Sequence, residues 1–467
     1  MTFPHQPHHP PPPGRRRRPL LIGVVAAAVV AVLVAAVLVL VPSSDAGGPG
    51  VPVAAPDPQA APLEQVGRVT KPRPPKDEGP PTGPEPELTR IRDGVVYTAF
   101  HTRKSISFTA FDVERRSVVW ERTLRLPEGA ISSVAFEIVD GGLILEGRNA
   151  DGYEYTLVLN PGTGETVWDL SLPVGCDRGC HHGGRLIAYD TAANQQNAFD
   201  VRTGEQVWSV PERTDEPSFT WIPQQTAESL AAPGDPQDHE QRYVGHGQKA
   251  TGATKIIETT SGRIVAEGAL GEKVTDYVLV GDVLYVYRKT PRELAAYRAD
   301  DLGAPLWTQP VPAADDGSAL VACDETTLCL TLLQGDRRTL HAIDTAAGAT
   351  RWELGDRLLT GQYETRSVGG PIAVTTKDST MLLDPASGEV LETFAATGYT
   401  YAGAGLILLA GPDGHLAYDA ARRAPVDLGP EFGAGLDPAT CVWAEGSAAC
   451  ADPEASDPEI TFWRYRA

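Results

Sequence analysis

The sequence predicts an all-β fold: a β-propeller of about eight four-stranded blades, with seven as the alternative count, preceded by one transmembrane helix and a disordered linker. Three observations predict it. An uncharged apolar run lies near the N-terminus, a Pro-rich stretch follows it, and from about Leu88 onward a short strand-turn-strand segment recurs at intervals of about 35 to 58 residues. The predicted organisation is a tail over residues 1–19, a helix over 20–41, a linker over 42–87 and the propeller over 88–467.

The tail, MTFPHQPHHPPPPGRRRRP, is too short for a domain and too rich in Pro for a helix. His5, His8 and His9 are metal-ligand types and the Pro run is a polyproline ligand type. The simpler reading is a disordered tail whose Arg15 to Arg18 fix topology and touch lipid headgroups. From Leu20 to Val41 there are 22 residues without a charge. As a helix they would span roughly 33 Å, enough to cross a hydrocarbon core. The arginines before the run and the first charge after it, Asp45, put the N-terminus in the cytoplasm by the positive-inside rule. The rest of the chain is then extracytoplasmic, held in the cell membrane by a single pass. The rival reading is a cleaved signal peptide ending near Ser44-Asp45-Ala46, but the apolar run exceeds the usual length of such a region.

Between Pro42 and Glu87 stand 13 Pro and 6 Gly in 46 residues. Such a stretch buries no core of its own and is expected to act as a stiff spacer.

The whole chain carries a formal charge of −21, and since residues 1–41 hold four Arg and no acid, the remainder carries −25. That balance argues against nucleic acid or a broad anionic lipid surface as the partner of the exported part. Arg greatly outnumbers Lys and Ala is abundant, a bias associated with GC-rich, actinobacterial genomes.

The repeat has a local physical logic. A strand ends in Asp or Asn, whose side chain bonds turn amides; Gly four positions on supplies a positive φ; an aromatic four further buries a flat surface against a neighbouring repeat. The clearest copies hold Asn160, Gly164 and Trp168; Asp200, Gly204 and Trp208; and Asp344, Gly348 and Trp352. Weaker copies keep part of the pattern: Asp112 with Trp120, Glu258 with Gly262, Gly303 with Trp307, Asp384 with Gly388, and Asp419. The stretches GGLILEG, DVLYVYR and GGPIAVTTK read as further strands ahead of these turns. Four short antiparallel strands in about 40 to 45 residues make one blade. The last stretch, CVWAEGSAACAD with EITFWRYRA, reads as three strands of a further unit, completed by pairing with the chain near Leu88 to Tyr97.

These residues carry a resemblance. The strand-D-x-x-TG-x-x-x-W pattern resembles the pyrroloquinoline-quinone-like (PQQ-like) repeat, within the wider WD40- and YVTN-like repeat superfamily. It is closer to the propeller scaffold of outer-membrane assembly than to the quinoprotein dehydrogenases. The resemblance implies a propeller over residues 90 to 467 and a protein-binding or sensor role in the envelope. The enzyme branch implies the alternative, a quinone (PQQ)-dependent oxidoreductase. Those enzymes carry a vicinal Cys-Cys disulfide, and this sequence has no adjacent pair of cysteines. Accordingly no catalytic residue, cofactor or metal is expected, and the expected partner is an envelope protein or peptide.

Six Cys form three close pairs, which suits disulfides in an oxidising compartment: Cys176 with Cys180, Cys323 with Cys329, and Cys441 with Cys450. The first pair stands in CDRGCHH, with His181 and His182. Haem attachment needs two residues between the cysteines and here there are three. Four zinc ligands within seven residues would strain the backbone. A small disulfide loop ahead of a strand at Arg185 to Asp190 is the plainer reading. Finally, Pro211 to Gln248 overruns the repeat period and reads as a solvated insertion or, with Trp221 and the surrounding acids, as a contact surface at one face of the ring. On either reading Asp215 to Asp238 could be deleted without loss of the fold.

Overall fold

The computed structural model describes residues 63–70 and the greater part of 89–465. Residues 1–62, 71–88 and several connecting stretches, among them 173–180, 212–219, 231–240 and 427–440, lie outside the described residues. The transmembrane expectation for 20–41, the cytoplasmic tail and the Cys176 and Cys180 pair therefore fall outside them. Among the described residues no helix is long and apolar enough to cross a membrane.

The described chain is all β, and its strands group into antiparallel four-stranded meanders running from an innermost to an outermost strand. Blade 1 comprises Thr89–Arg92, Val95–His101, Ser105–Asp112 and Ser117–Arg125. Blades 2 to 8 follow in order over 131–172, 181–211, 220–269, 272–310, 319–354, 364–394 and 399–426. Blade 9 takes Cys441–Ala444, Ser447–Asp452 and Glu459–Tyr465 from the C-terminal end, with Leu63–Thr70 as its outermost strand. Among the described residues nine such units stand, where eight or seven were expected.

Two sequence expectations are corrected by this closure. The stretch 42–87 is not linker throughout, because LEQVGRVT, between Pro62 and Pro72, pairs antiparallel with Glu459–Tyr465 from Leu63↔Tyr465 to Thr70↔Glu459. Its Val66 and Val69 are buried, so burial offsets the ordering of a segment whose surroundings are poor in apolar residues. Consequently the propeller includes Leu63–Thr70. The residues near Leu88 to Tyr97, expected to complete the last unit, instead pair with each other as Thr89–Arg92 against Val95–His101 at the inside of blade 1.

Apolar side chains from successive blades meet in seams. Phe108 and Phe136 pack edge-on between blades 1 and 2. Leu406, Cys450 and Trp463 join blades 8 and 9. Val66, Ile91, Phe111 and Phe462 join blades 9 and 1, with the two Phe rings stacked at 4.3 Å. The succession of seams thereby returns to its start. Blades 4 and 5 are joined differently: their innermost strands, Thr220–Gln225 and Glu272–Val280, pair in parallel through Gln224↔Leu279 and Gln225↔Val280.

Candidate functional site

The residues singled out from the repeat form a lock between neighbouring blades. In blade 2, Asn160 Oδ1 accepts from the N–H groups of Gly162 (2.8 Å) and Thr163 (3.2 Å), and the Gly164 N–H donates to the Asn160 carbonyl. Asp200 and Asp344 build the same turn in blades 3 and 6. Arg351 donates to Asp344 and, with the Ala347 N–H, holds that carboxyl below its usual range. Asp200 is paired with Arg185.

Each turn then receives the tryptophan of the preceding blade. Trp168 donates its indole N–H to the Val201 carbonyl at 2.8 Å, and its ring lies 2.6 Å from where a Cβ of Gly204 would stand. Gly204 is thus required twice, by its φ of +73 and by the ring against it. The same geometry joins Trp120 to Gly164, Trp208 to Gly262, Trp307 to Gly348 and Trp352 to Gly388.

The degraded copies follow from this lock. Where the preceding outer strand offers no tryptophan, the seat is not glycine. Arg116 (φ +55) stands there in blade 1, reaching Glu64 of blade 9 at 2.9 Å. Arg423 (φ +51) stands there in blade 8, reaching Asp384 of blade 7 at 2.8 Å. In blade 5 the seat is filled by Leu302, which lies against Gly268 of blade 4. A single-sequence pattern misses this because the correlated residues are in different repeats.

Two expected disulfides are present, Cys323 to Cys329 and Cys441 to Cys450, each across the hairpin of the first two strands of its blade. Their Cα atoms are 5.7 Å and 4.0 Å apart. Among the described residues no cysteine is free. His181–His182 is the innermost strand of blade 3, paired with Arg185–Asp190, so this stretch is built into the sheet. No group of three or more His, Cys, Asp or Glu among the described residues could hold a metal ion.

The surplus-loop expectation for Pro211 to Gln248 is corrected. Thr220–Gln225, with Trp221 in it, is the innermost strand of blade 4, and Ile222 belongs to the seam with blade 5. Gln224 is a hub: its Oε1 accepts from the Arg242 and Tyr243 N–H groups, and its Nε2 donates to the Gly281 carbonyl. Deleting Asp215 to Asp238 would remove this strand, which lies within that range. Just after the strand the chain reaches other blades. Leu230 packs against the apolar cluster of blades 5 and 6, and its carbonyl accepts from Ser367 Oγ of blade 7 at 3.1 Å.

Two ionisable groups are perturbed in this region, His246 strongly. Burial, with Lys255 opposite it in register, pushes the His246 imidazole down to about 3. Burial raises the Asp276 carboxyl, against the pull of the Leu320 N–H, Lys249 and the Tyr277 N–H. Asp276 thereby ties the innermost strand of blade 5 to that of blade 6.

Comparison with known proteins agrees with this geometry. Residues 198–404 match the family model described as outer membrane protein assembly factor BamB. No curated protein matches the chain. Among solved structures, one of a eukaryotic initiation factor is similar over 78% of this chain and 94% of its own, at 14% identity and a TM-score of 0.51, which shows the fold alone. BamB from Moraxella catarrhalis is similar at 15% identity over 86% of this chain and 98% of its own, with a TM-score of 0.41. The quinohemoprotein alcohol dehydrogenase of Comamonas testosteroni is similar at 10% identity over 87% and 77%, also at 0.41. Likenesses at that score carry no argument about function.

Proposed function

From the premise that residues 198–404 are a PQQ-like repeat segment of the kind the assembly-factor family model describes, we propose that this chain is a protein-binding scaffold of the cell envelope. In this reading an N-terminal helix over 20–41 holds it in the membrane, and the propeller from Leu63 onward stands on the extracytoplasmic side. The family match is the observation that carries the scaffold role. The apolar run and the arginines before it support the anchor and the orientation, and the two disulfides suit an oxidising compartment.

On this reading the repeats serve construction: the Asp, Gly and Trp residues are consumed in turns and seams, leaving the exposed connections and blade ends to bind. The same reading makes the chain non-catalytic. The test is crosslinking in intact cells followed by mass spectrometry, with the full chain and a variant lacking residues 1–62 compared. The scaffold reading expects defined envelope proteins captured by the full chain; capture of none rejects it. A reporter fused after Ala467 that is active only outside the cytoplasm tests the orientation, and an inactive exported reporter rejects it. Purified protein given the quinone and calcium should reduce no dye with alcohols or sugars, and turnover there would reinstate the oxidoreductase.

A further inference from the structure

Blade 9 is completed by a strand that stands apart in sequence from the rest of the ring. Leu63–Thr70 is an edge strand, bonded only to Glu459–Tyr465. Its Val66 and Val69 enter the apolar cluster of Phe111 and Phe462, and Glu64 accepts from Arg116 at 2.9 Å. The fit is particular to this strand. Gly67 follows a shift of register in the pairing, and the Phe111 ring lies 2.6 Å from where its Cβ would stand.

The connection behind the strand is out of proportion to the gap it crosses. From an outermost strand to the innermost strand of the next blade is roughly 15 Å, three inter-strand spacings. Two residues, Leu270 and Gly271, make that step between blades 4 and 5, and four make it between blades 7 and 8. Between Thr70 and Thr89 there are 18 residues, seven of them Pro. At the polyproline rise such a length reaches about 56 Å, and Pro-rich chain resists doubling back over a short gap.

We propose that Leu63–Thr70 is exchanged between two copies of this chain, each copy's strand completing blade 9 of the other. The inference goes beyond the scaffold reading and does not depend on it. Exchange preserves every pairing and burial of blade 9, because the same residues meet in both forms. A strand that leaves its own ring exposes the Glu459–Tyr465 edge there, and the strand received in return is identical, so the assembly is a two-fold dimer that closes on itself. With contacts equal, the connection decides between the forms. Folding back bends the Pro-rich stretch over a short gap, whereas exchange lets it run extended.

The test uses two versions of the full chain, Arg68→Cys and Thr461→Cys, whose residues are direct partners across the strand pair. They are produced together in one cell with different tags and resolved on non-reducing gels. Exchange expects a disulfide-linked dimer carrying both tags, in roughly tenfold excess over any dimer that either version forms alone. The double variant Arg68→Cys/Thr461→Cys should likewise link between chains. A double variant that links only within one chain, with no mixed-tag dimer from the pair of versions, overturns the proposal. Glu64→Cys with Arg464→Cys, partners near the start of the strand, repeats the test where the first pair disturbs folding. Replacing the seven Pro of residues 71–88 by Ser should lower the mixed-tag dimer roughly tenfold, because a chain freed of Pro folds back readily. An unchanged yield would overturn the connection as the cause of exchange.

Discussion

The indole of Trp168 occupies the space that a side chain on Gly204 would need. The two residues belong to different blades, so the repeat motif is a statement about pairs of neighbours. Gly204→Ala should destabilise the protein by about 2 to 4 kcal/mol, combining left-handed backbone strain with displacement of the ring. Gly184, in the same blade, also has a positive φ but nothing near its Cβ position. Gly184→Ala should cost only about 1 kcal/mol. Urea unfolding of both variants checks this, and equal losses would contradict the lock.

The same rule can be tested by building a lock where none exists. Glu392 stands four residues beyond Gly388, where a tryptophan would stand, and Arg423 holds the seat opposite. Glu392→Trp alone should clash with Arg423, and Arg423→Gly alone should lose the pair with Asp384. Together they should show a favourable coupling of about 1 to 3 kcal/mol in a double-mutant cycle. Additive effects would count against a transferable lock.

His246 predicts a pH dependence. Its folded value of about 3 lies below the ordinary 6.5, so between these values the unfolded chain binds a proton that the folded one does not. Stability attributable to this residue is therefore full above about pH 6.5 and falls as pH drops toward 3, by at most about 1.4 kcal/mol per pH unit. His246→Gln should have a shallower acid slope than the unaltered protein in unfolding curves at successive pH values. Parallel slopes would show that the imidazole contributes nothing to it.

Closure of blade 9 predicts a sharp truncation boundary. Removing residues 1–62 should leave the melting temperature nearly unchanged. Removing residues 1–70 takes away the outermost strand and the burial of Val66 and Val69 against Phe111 and Phe462. It should lower the melting temperature by several degrees and raise protease sensitivity. A truncation series followed by calorimetry checks the boundary, and a large loss already on removal of residues 1–62 would contradict it.

The sequence by itself determined the β class, the repeat, the turn chemistry and two of the disulfides. Each rests on interactions within a few residues: Asp200 bonds the amides that follow it, and Cys441 meets Cys450 across one hairpin. Tertiary structure decided what depends on distant residues. Leu63–Thr70 reads as spacer until Glu459–Tyr465 offers it an edge. Thr220–Gln225 reads as a loop until Glu272–Val280 pairs with it. Arg116 and Arg423 read as decay of the motif until the neighbouring blade is seen to lack a tryptophan. Local hydrogen bonding is written in consecutive residues, whereas burial and pairing depend on which surfaces the closed succession of blades brings together.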